Sequence, residues 1–154
     1  MSSPNRRISL SLPQTWLLVW SAILLMPIHL GLMWLGYERL RAFGERLTPL
    51  PEVQLPPANA EDFRRAKDIG RVVSIAARRG VFKAGCLRRS MLVWWFLRKR
   101  GFRSDICFGV RRNGARLEAH AWVERDGVVL DDTEEIRARY RVLREVLPAD
   151  APGL

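Results

Sequence analysis

Cysteine is scarce in this chain of 154 residues, which contains only Cys86 and Cys107. Two cysteines are too few for the disulfide framework of a small secreted domain, and a chain of this length does not need one. We therefore expect free thiols in a reducing compartment. The sequence also lacks a C-x-x-C or H-x-x-H cluster and a glycine-rich phosphate loop, so we expect no metal site and no bound cofactor.

Lysine is rare as well, and the positive charge comes almost entirely from arginine. Of the 26 basic residues three are lysines, and the formal net charge is +10. A charge of this size suits an acidic peptide, a membrane surface or another polyanionic partner. No nucleic-acid-binding motif accompanies the charge, so we expect no nucleic-acid partner.

One stretch near the N-terminus has no charge at all. Residues 16–37 contain no Asp, Glu, Lys or Arg, and as one helix of about 33 Å they are long enough to cross a bilayer. Arginines flank the stretch and aromatic residues lie towards its ends, as at membrane interfaces. Pro27 and Gly31 break the run near its middle, so the alternative is a helical hairpin folded against the domain or lying on the membrane. We expect a cytoplasmic protein that residues 16–37 attach to the inner face of the plasma membrane.

The sequence divides into three parts. Residues 1–47 contain the basic N-terminus and the apolar segment, and residues 48–58, with four prolines, form a linker. Residues 59–154 form the globular domain, whose first helix begins with a capping box of Asn59 and Asp62. The second helix is apolar all round at its centre, so we expect it to be buried. The predicted elements are helices over 59–80, 87–100 and 133–146 and strands over 105–110, 117–124 and 128–131, an α+β fold with an antiparallel sheet.

Cys86 is the preferred candidate for a catalytic nucleophile because it opens the second helix. The unpaired N–H groups and partial positive charge of a helix N-terminus favour a thiolate and can hold an oxyanion. Cys107 is a rival, since a two-residue turn at Asn113-Gly114 would place it opposite His120. Its apolar neighbours suggest core packing instead.

His120 is the candidate general base, with Trp122 on the same strand face as a shield from water. The turn that follows decides which acid orients it. A three-residue loop over 125–127 places Asp132 opposite His120, whereas a two-residue turn makes Asp131 the diagonal neighbour. Either carboxylate can stabilise the imidazolium, so both remain open.

The order of these residues resembles the transglutaminase-like superfamily, in which a cysteine at a helix start precedes a histidine in one strand and an aspartate in the next. The segment from His120 to Asp132, which begins HAWVE, resembles the core of that superfamily. Residues 86–92 (CLRRSML), 98–102 and 109–112 narrow the resemblance to the lasso-peptide maturation proteases, the microcin-processing branch.

This resemblance implies a papain-like cysteine protease core with a triad of Cys86, His120 and Asp132, because the family's spacing of twelve residues favours Asp132 over Asp131. It implies ATP-stimulated removal of the leader from a ribosomally made precursor peptide. The implied partners are that precursor, a separate small leader-recognition protein and an asparagine-synthetase-like cyclase. Two other functions remain open: transfer of the acyl group to an amine on the same triad, and a non-catalytic membrane-tethered scaffold for peptide maturation.

Overall fold

The computed structural model describes residues 12–50, 58–79 and 85–143. These residues form five helices and four strands, and the predicted α+β class with an antiparallel sheet is confirmed. The elements are α1 (Leu12–Trp34), α2 (Gly36–Leu47), α3 (Ala60–Arg79), α4 (Cys86–Arg98), β1 (Asp105–Asn113), β2 (Arg116–Arg125), β3 (Val128–Val129), α5 (Ile136–Arg139) and β4 (Arg141–Val142). Most of the predicted linker, residues 51–57, lies outside the described residues.

The apolar segment forms one long helix with a second helix folded back on it. α1 continues through Pro27, so the predicted break near the middle of the run is wrong. The chain turns instead at Gly36, whose φ of +77° is a conformation that glycine adopts at low cost. Leu40 of α2 then lies against Gly31 of α1, where a Cβ would come within 2.8 Å of the leucine side chain.

Both N-terminal helices pack onto the domain. The inner side of α1 contributes Leu25 to the main core, and Gly44 of α2 lies against the Trp94 ring of α4. Arg98 of α4 holds the end of α2 by donating hydrogen bonds to Thr48 Oγ1 at 3.2 Å and to its carbonyl oxygen at 3.0 Å. Length and composition alone would allow α1 to cross a membrane.

The outer side of these two helices is apolar and open. We call it the exposed apolar face, and it consists of Leu12, Trp16, Val19, Trp20, Ile23, Leu30, Met33, Trp34, Leu35, Phe43 and Leu47. Trp34 is 82% exposed and Trp16 66%. Side chains of this size are usually buried in a folded domain, so the face is a candidate contact surface.

α3 and α4 follow their sequence patterns closely. Asn59 and Asp62 form the predicted capping box: the Asn59 side chain accepts a hydrogen bond from the Asp62 N–H at 2.9 Å, and the Asp62 carboxylate accepts one from the Asn59 N–H at 3.1 Å. The apolar centre of α4 is buried as predicted, from Met91 to Leu97 with Trp95 partly open. The predicted stop of α3 at Gly80 lies outside the described residues.

The sheet has the order β3-β2-β1-β4 with antiparallel neighbours. Asn113 pairs with Arg116, so the first hairpin turns at 114–115, one residue later than predicted. Arg125 pairs with Val128, so the second turn has two residues, 126 and 127, both with positive φ. The alternative of a three-residue loop there is therefore wrong.

The helix predicted over 133–146 is also wrong. Of its described residues, 133–143, only the four of α5 are helical, and Tyr140 then takes an extended conformation that leads into β4. β4 pairs with the free edge of β1, with Val142 opposite Gly109. Tyr140 and Val142 pack on a small core around Trp122, which a continued helix would leave uncovered.

Candidate active site

Cys86 is the first residue of α4. Gly85 precedes it in an extended conformation and places no side chain over the helix end, so the first-turn N–H groups are not capped by a side chain. Cys86 is a free, partly exposed thiol. A nucleophile in this position has helix N–H groups beside it that can stabilise an oxyanion, as the sequence predicts.

Cys107 occupies a different environment. It pairs with Trp122 rather than with His120, so the predicted placement of Cys107 opposite the histidine is wrong. Burial, together with the nearby Glu124 carboxylate, raises the pKa of the Cys107 thiol to about 12. The thiol therefore stays protonated at neutral pH and cannot act as a nucleophile there.

The outer edge of β2 explains how the two acids are placed. β3 ends at Val129, Leu130 N–H donates one more hydrogen bond to the Val123 carbonyl oxygen at 2.9 Å, and beyond that side chains replace a partner strand. Val123 N–H donates to Asp131 Oδ1 at 2.7 Å, and the Ala121 carbonyl accepts from Ser90 Oγ at 3.1 Å. Because these backbone groups are already satisfied, the chain can leave the sheet and bend at residues 130–132.

This bend is also held from α3. Gly70 lies so close that a Cβ at that position would overlap the carbonyl oxygen of Leu130, and Ser74 Oγ donates to the carbonyl oxygen of Asp131 at 3.2 Å. The bend is thus fixed on one side by a close helix–backbone contact and on the other by β2. It turns the next side chain, Asp132, towards His120.

Asp132 forms the link between His120 and α4. Its Oδ2 lies 2.9 Å from His120 Nε2 and 2.7 Å from an Arg89 guanidinium nitrogen, while its Oδ1 accepts from Thr133 N–H at 2.8 Å. Burial alone would raise the pKa of Asp132, but the hydrogen bonds from His120, Thr133 and Arg89 outweigh it and hold the pKa below its ordinary value. An ionised carboxylate only accepts hydrogen bonds, so His120 Nε2 carries the proton in this pair.

Asp131 has a different role from its neighbour. It is 6% exposed, and its Oδ2 accepts from Ser90 Oγ at 2.8 Å and lies 3.5 Å from Arg89 Nε. Burial raises its pKa above the ordinary value, against the opposing effect of Arg89. Within the described residues the hydrogen bonds of its carboxylate go to α4 and to β2 and none goes to His120, so this acid anchors the bend.

The His120 ring is held between aromatic side chains. Trp122 stacks beside it at 6.3 Å between ring centroids, and the Tyr140 ring lies at 5.2 Å. Gly109 makes this possible, because a Cβ there would lie 2.8 Å from the Trp122 ring and 2.9 Å from Tyr140 Cβ. With Nε2 bonded to Asp132, Nδ1 is the nitrogen left to exchange a proton with a nucleophile.

The structure therefore joins two of the three predicted residues directly. His120 and Asp132 are hydrogen-bonded, and Cys86 lies one turn before Arg89 on the same side of α4. Within the described part of the chain, no hydrogen bond joins Cys86 to His120. Arg89 is thus the residue through which α4 contacts the acid–base pair.

Three residues that contact the acid–base pair or its neighbouring acid were not predicted from the sequence: Arg89, Ser90 and Tyr140. A signal for the first two was present, because a residue three or four positions after a helix-opening nucleophile lies near the same helix face. Nothing comparable marked Tyr140, whose position depends on the unexpected strand β4.

Residues 22–145 match the transglutaminase-like superfamily, so the chain belongs to this superfamily, which commonly includes cysteine peptidases and acyl transferases. Neither a comparison with curated proteins nor one with solved structures gives a match. The family match begins within α1, in the segment that the sequence analysis assigns to a separate N-terminal part. The predicted division into three parts stays a prediction.

Proposed function

We propose that this protein is a cysteine peptidase that removes the leader from a lasso-peptide precursor. The observation that carries the chemistry is the hydrogen bond between His120 and Asp132, on a carboxylate that Arg89 of the Cys86 helix also binds. The choice of a leader peptide as substrate comes from the family resemblance of the sequence around these residues. Membership of the superfamily supports acyl-transfer chemistry on a thiol.

In the proposed reaction Cys86 Sγ attacks the scissile carbonyl, and His120 Nδ1 takes the thiol proton. The first-turn N–H groups of α4 stabilise the oxyanion of the tetrahedral intermediate. The C–N bond then breaks, and His120 returns the proton to the leaving amine. Water, deprotonated by His120, attacks the thioester and releases the new carboxyl terminus and the free thiol. Asp132 stabilises the imidazolium at each stage.

The proposal includes the setting implied by the resemblance. A separate small recognition protein presents the leader, ATP stimulates cleavage, and an asparagine-synthetase-like cyclase acts next. We also propose that the exposed apolar face attaches the protein to the inner face of the plasma membrane. Trp16, Trp20 and Trp34 on that face support this proposal, since tryptophan suits the membrane interface.

The test of catalysis is cleavage of a precursor peptide in the presence of the recognition protein, followed by mass spectrometry. We expect Cys86→Ser and His120→Ala to lose cleavage by about 10³-fold or more, while Cys107→Ser, the matched cysteine control, cleaves normally. Cleavage by Cys86→Ser at the normal rate would refute the assignment. No cleavage by the unmodified protein, together with normal maturation in the presence of Cys86→Ala, would instead favour the scaffold function.

The same products distinguish hydrolysis from transfer to an amine. With a primary amine added in excess, a peptidase releases a leader that ends in a free carboxylate. A transamidating enzyme gives a leader amide, heavier than the free-acid leader by the mass of the amine less one water. A predominance of the amine adduct would replace the peptidase proposal by the acyl-transferase alternative on the same residues.

Thiol labelling gives a test that needs no substrate. At pH 8 the thiolate fraction of Cys107 is on the order of a thousandfold below that of an ordinary cysteine, because its pKa is about 12. We expect iodoacetamide to modify Cys86 alone in the folded protein and both cysteines after denaturation. Peptide mapping identifies the site, and equal labelling of both cysteines in the folded state would contradict this account.

A further inference from the structure

A strongly basic groove lies beside the candidate active site. It has a volume of about 560 Å³ and runs between the end of β1 and the segment that carries α5 and β4. Its charged lining consists of Arg111, Arg112, Arg137, Arg139 and Arg141, with Tyr140 among them. Among the residues that the structure describes, none of those lining the groove is acidic. We call it the arginine groove.

Only part of this charge is neutralised within the described residues. Arg111 pairs with Glu118 at 2.6 Å, and Arg137 lies 3.6 Å from Glu124. Arg112, Arg139 and Arg141 are exposed and have no carboxylate within ion-pair distance in the part of the chain that the structure describes. The groove therefore presents at least three guanidinium groups that an external anion can bind.

Tyr140 connects the arginine groove to His120. One side of its ring faces the histidine at 5.2 Å between centroids, and the Arg111 guanidinium lies 5.0 Å from the same ring. A peptide whose scissile bond lies near His120 would reach the groove within a few residues, since an extended chain advances about 3.3 Å per residue. The groove is thus close enough to bind the peptide that is being cut.

We propose that the arginine groove binds carboxylate side chains of the peptide substrate, and so selects acidic residues within a few positions of the cleaved bond. This proposal rests on the proposed peptidase function. Guanidinium groups bind carboxylates with two parallel hydrogen bonds, which gives orientation as well as attraction. A single exposed ion pair contributes little binding free energy, but several cations in one groove together attract the same acidic peptide segment.

A nucleic acid or a free polyphosphate is the competing ligand for such a surface. The connection through Tyr140 to the acid–base pair favours a peptide, because the groove adjoins the place where the scissile bond would lie. Both alternatives can be measured in the same assay as the peptide.

The test is a binding assay that does not depend on catalysis. Full-length protein carrying Cys86→Ser is titrated against a fluorescein-labelled tetraglutamate peptide and its tetraglutamine counterpart, by anisotropy at low and moderate salt. We expect the glutamate peptide to bind at least tenfold more tightly. Arg139→Gln with Arg141→Gln should remove that preference.

The matched control changes the same charge elsewhere. Arg64→Gln with Arg65→Gln removes two exposed arginines from α3, and we expect less than a twofold effect on peptide binding. Equal losses in both double variants would indicate unspecific charge attraction and overturn the proposal. Tighter binding of a four-nucleotide oligomer or of inorganic triphosphate than of the glutamate peptide would also overturn it.

Charge reversal gives a second readout and guards against a folding defect. We expect Arg139→Glu with Arg141→Glu to bind a tetralysine peptide in preference to the tetraglutamate peptide. Failure to reverse the preference in a folded variant would contradict a specific groove. These outcomes are independent of the cleavage assay. If the Cys86→Ser protein shows no preference for the glutamate peptide while the unmodified protein cleaves normally, the groove proposal alone is refuted. If the preference is present and the unmodified protein does not cleave, the peptidase proposal alone is refuted.

Discussion

The bend at residues 130–132 and the outer side of the first two helices differ in which side chains they bury. The bend buries polar groups, whereas the helices leave large apolar groups exposed. At the bend, charged side chains are buried, and Asp131 is bonded to Ser90, to Val123 N–H and, by charge, to Arg89. On the exposed apolar face, large side chains such as Trp34 are left in the open. We call the first region the polar cluster; it consists of Ser90 and Asp131, which are buried, and of Arg89, His120 and Asp132, which are partly buried.

The polar groups of the first region find their partners within the chain, whereas the apolar side chains of the second need a contact from outside it. Burial of charge is tolerated only where each group has partners, and the described residues supply them for both aspartates. Burial of the tryptophans on α1 would require a surface that the described residues do not provide. Substitutions in the polar cluster should therefore lower the free energy of unfolding strongly. Substitutions on the exposed apolar face should instead weaken binding to an external surface.

The largest effect is expected at Asp131. Asp131→Ala leaves Val123 N–H without its acceptor, takes one of two acceptors from Ser90 Oγ and removes the buried negative charge beside Arg89. We expect the free energy of unfolding to fall by about 3–5 kcal/mol. Denaturant titration measures this change. Asp132→Ala, the matched control, removes a partly buried acid at the surface side of the bend and should cost less, about 1–2 kcal/mol, while abolishing cleavage. Equal destabilisation by the two variants would contradict the division of roles between the two acids.

Gly70→Ala should have the next largest effect on the free energy of unfolding. It should destabilise the protein, although this substitution in a helix is usually stabilising. Alanine normally stabilises a helix relative to glycine by about 0.4–1 kcal/mol. Here the new methyl group overlaps the Leu130 carbonyl, so we expect a loss of about 1–3 kcal/mol and a displaced bend. Gly31→Ala meets only the flexible Leu40 side chain and serves as the control. A stabilised Gly70→Ala protein would show that α3 does not hold the bend.

Ser90→Ala should cost somewhat less, about 1–2 kcal/mol. The hydroxyl serves both Asp131 Oδ2 and the Ala121 carbonyl, and its loss leaves each acceptor with one partner fewer. Thermal unfolding measures the change in stability. Ser90→Thr keeps the hydroxyl and should retain part of the stability if the space allows its methyl group. An unchanged melting temperature in Ser90→Ala would show that the serine does not stabilise the cluster.

The smallest effect on folding is expected on the exposed apolar face. Trp16→Gln combined with Trp34→Gln should change the free energy of unfolding by about 0.5 kcal/mol or less, because both rings are largely open. The same variant should lose most of its co-sedimentation with vesicles that contain anionic lipid. Strong destabilisation, or unchanged vesicle binding, would mean that the face has a partner within the protein and not a membrane.

The sequence allowed most of the helical part and only some of the sheet to be predicted. The capping box at Asn59 and the buried centre of α4 depend on local spacing, and both are confirmed. Strand register placed Asp131, not Asp132, nearer to His120 for the two-residue turn that the structure has. Register fails here because β3 stops after Val129, where the Asp131 side chain takes the place of a paired strand.

Asp132 was favoured over Asp131 because the family resemblance implies a spacing of twelve residues from the histidine to the aspartate. That spacing agrees with the bend but gives no physical reason for it. Tertiary contacts from α3, α4 and β2 hold that bend, and no local pattern in residues 128–132 predicts them. The helix expected over 133–146 failed for a related reason, since the open edge of β1 recruits residues 141–142 into the sheet. Both errors lie where distant parts of the chain decide a local conformation.

The position of α1 in the chain has a consequence for biosynthesis. Its inner side completes a core that also needs α3 and α4, and the ribosome makes those helices later. At about 5–20 residues per second, several seconds pass between the emergence of α1 and that of α4. During that interval the nascent helix offers apolar surface on every side. A chaperone or the lipid bilayer is therefore expected to bind α1 first, and folding of the domain then has to displace that contact from one side of the helix only.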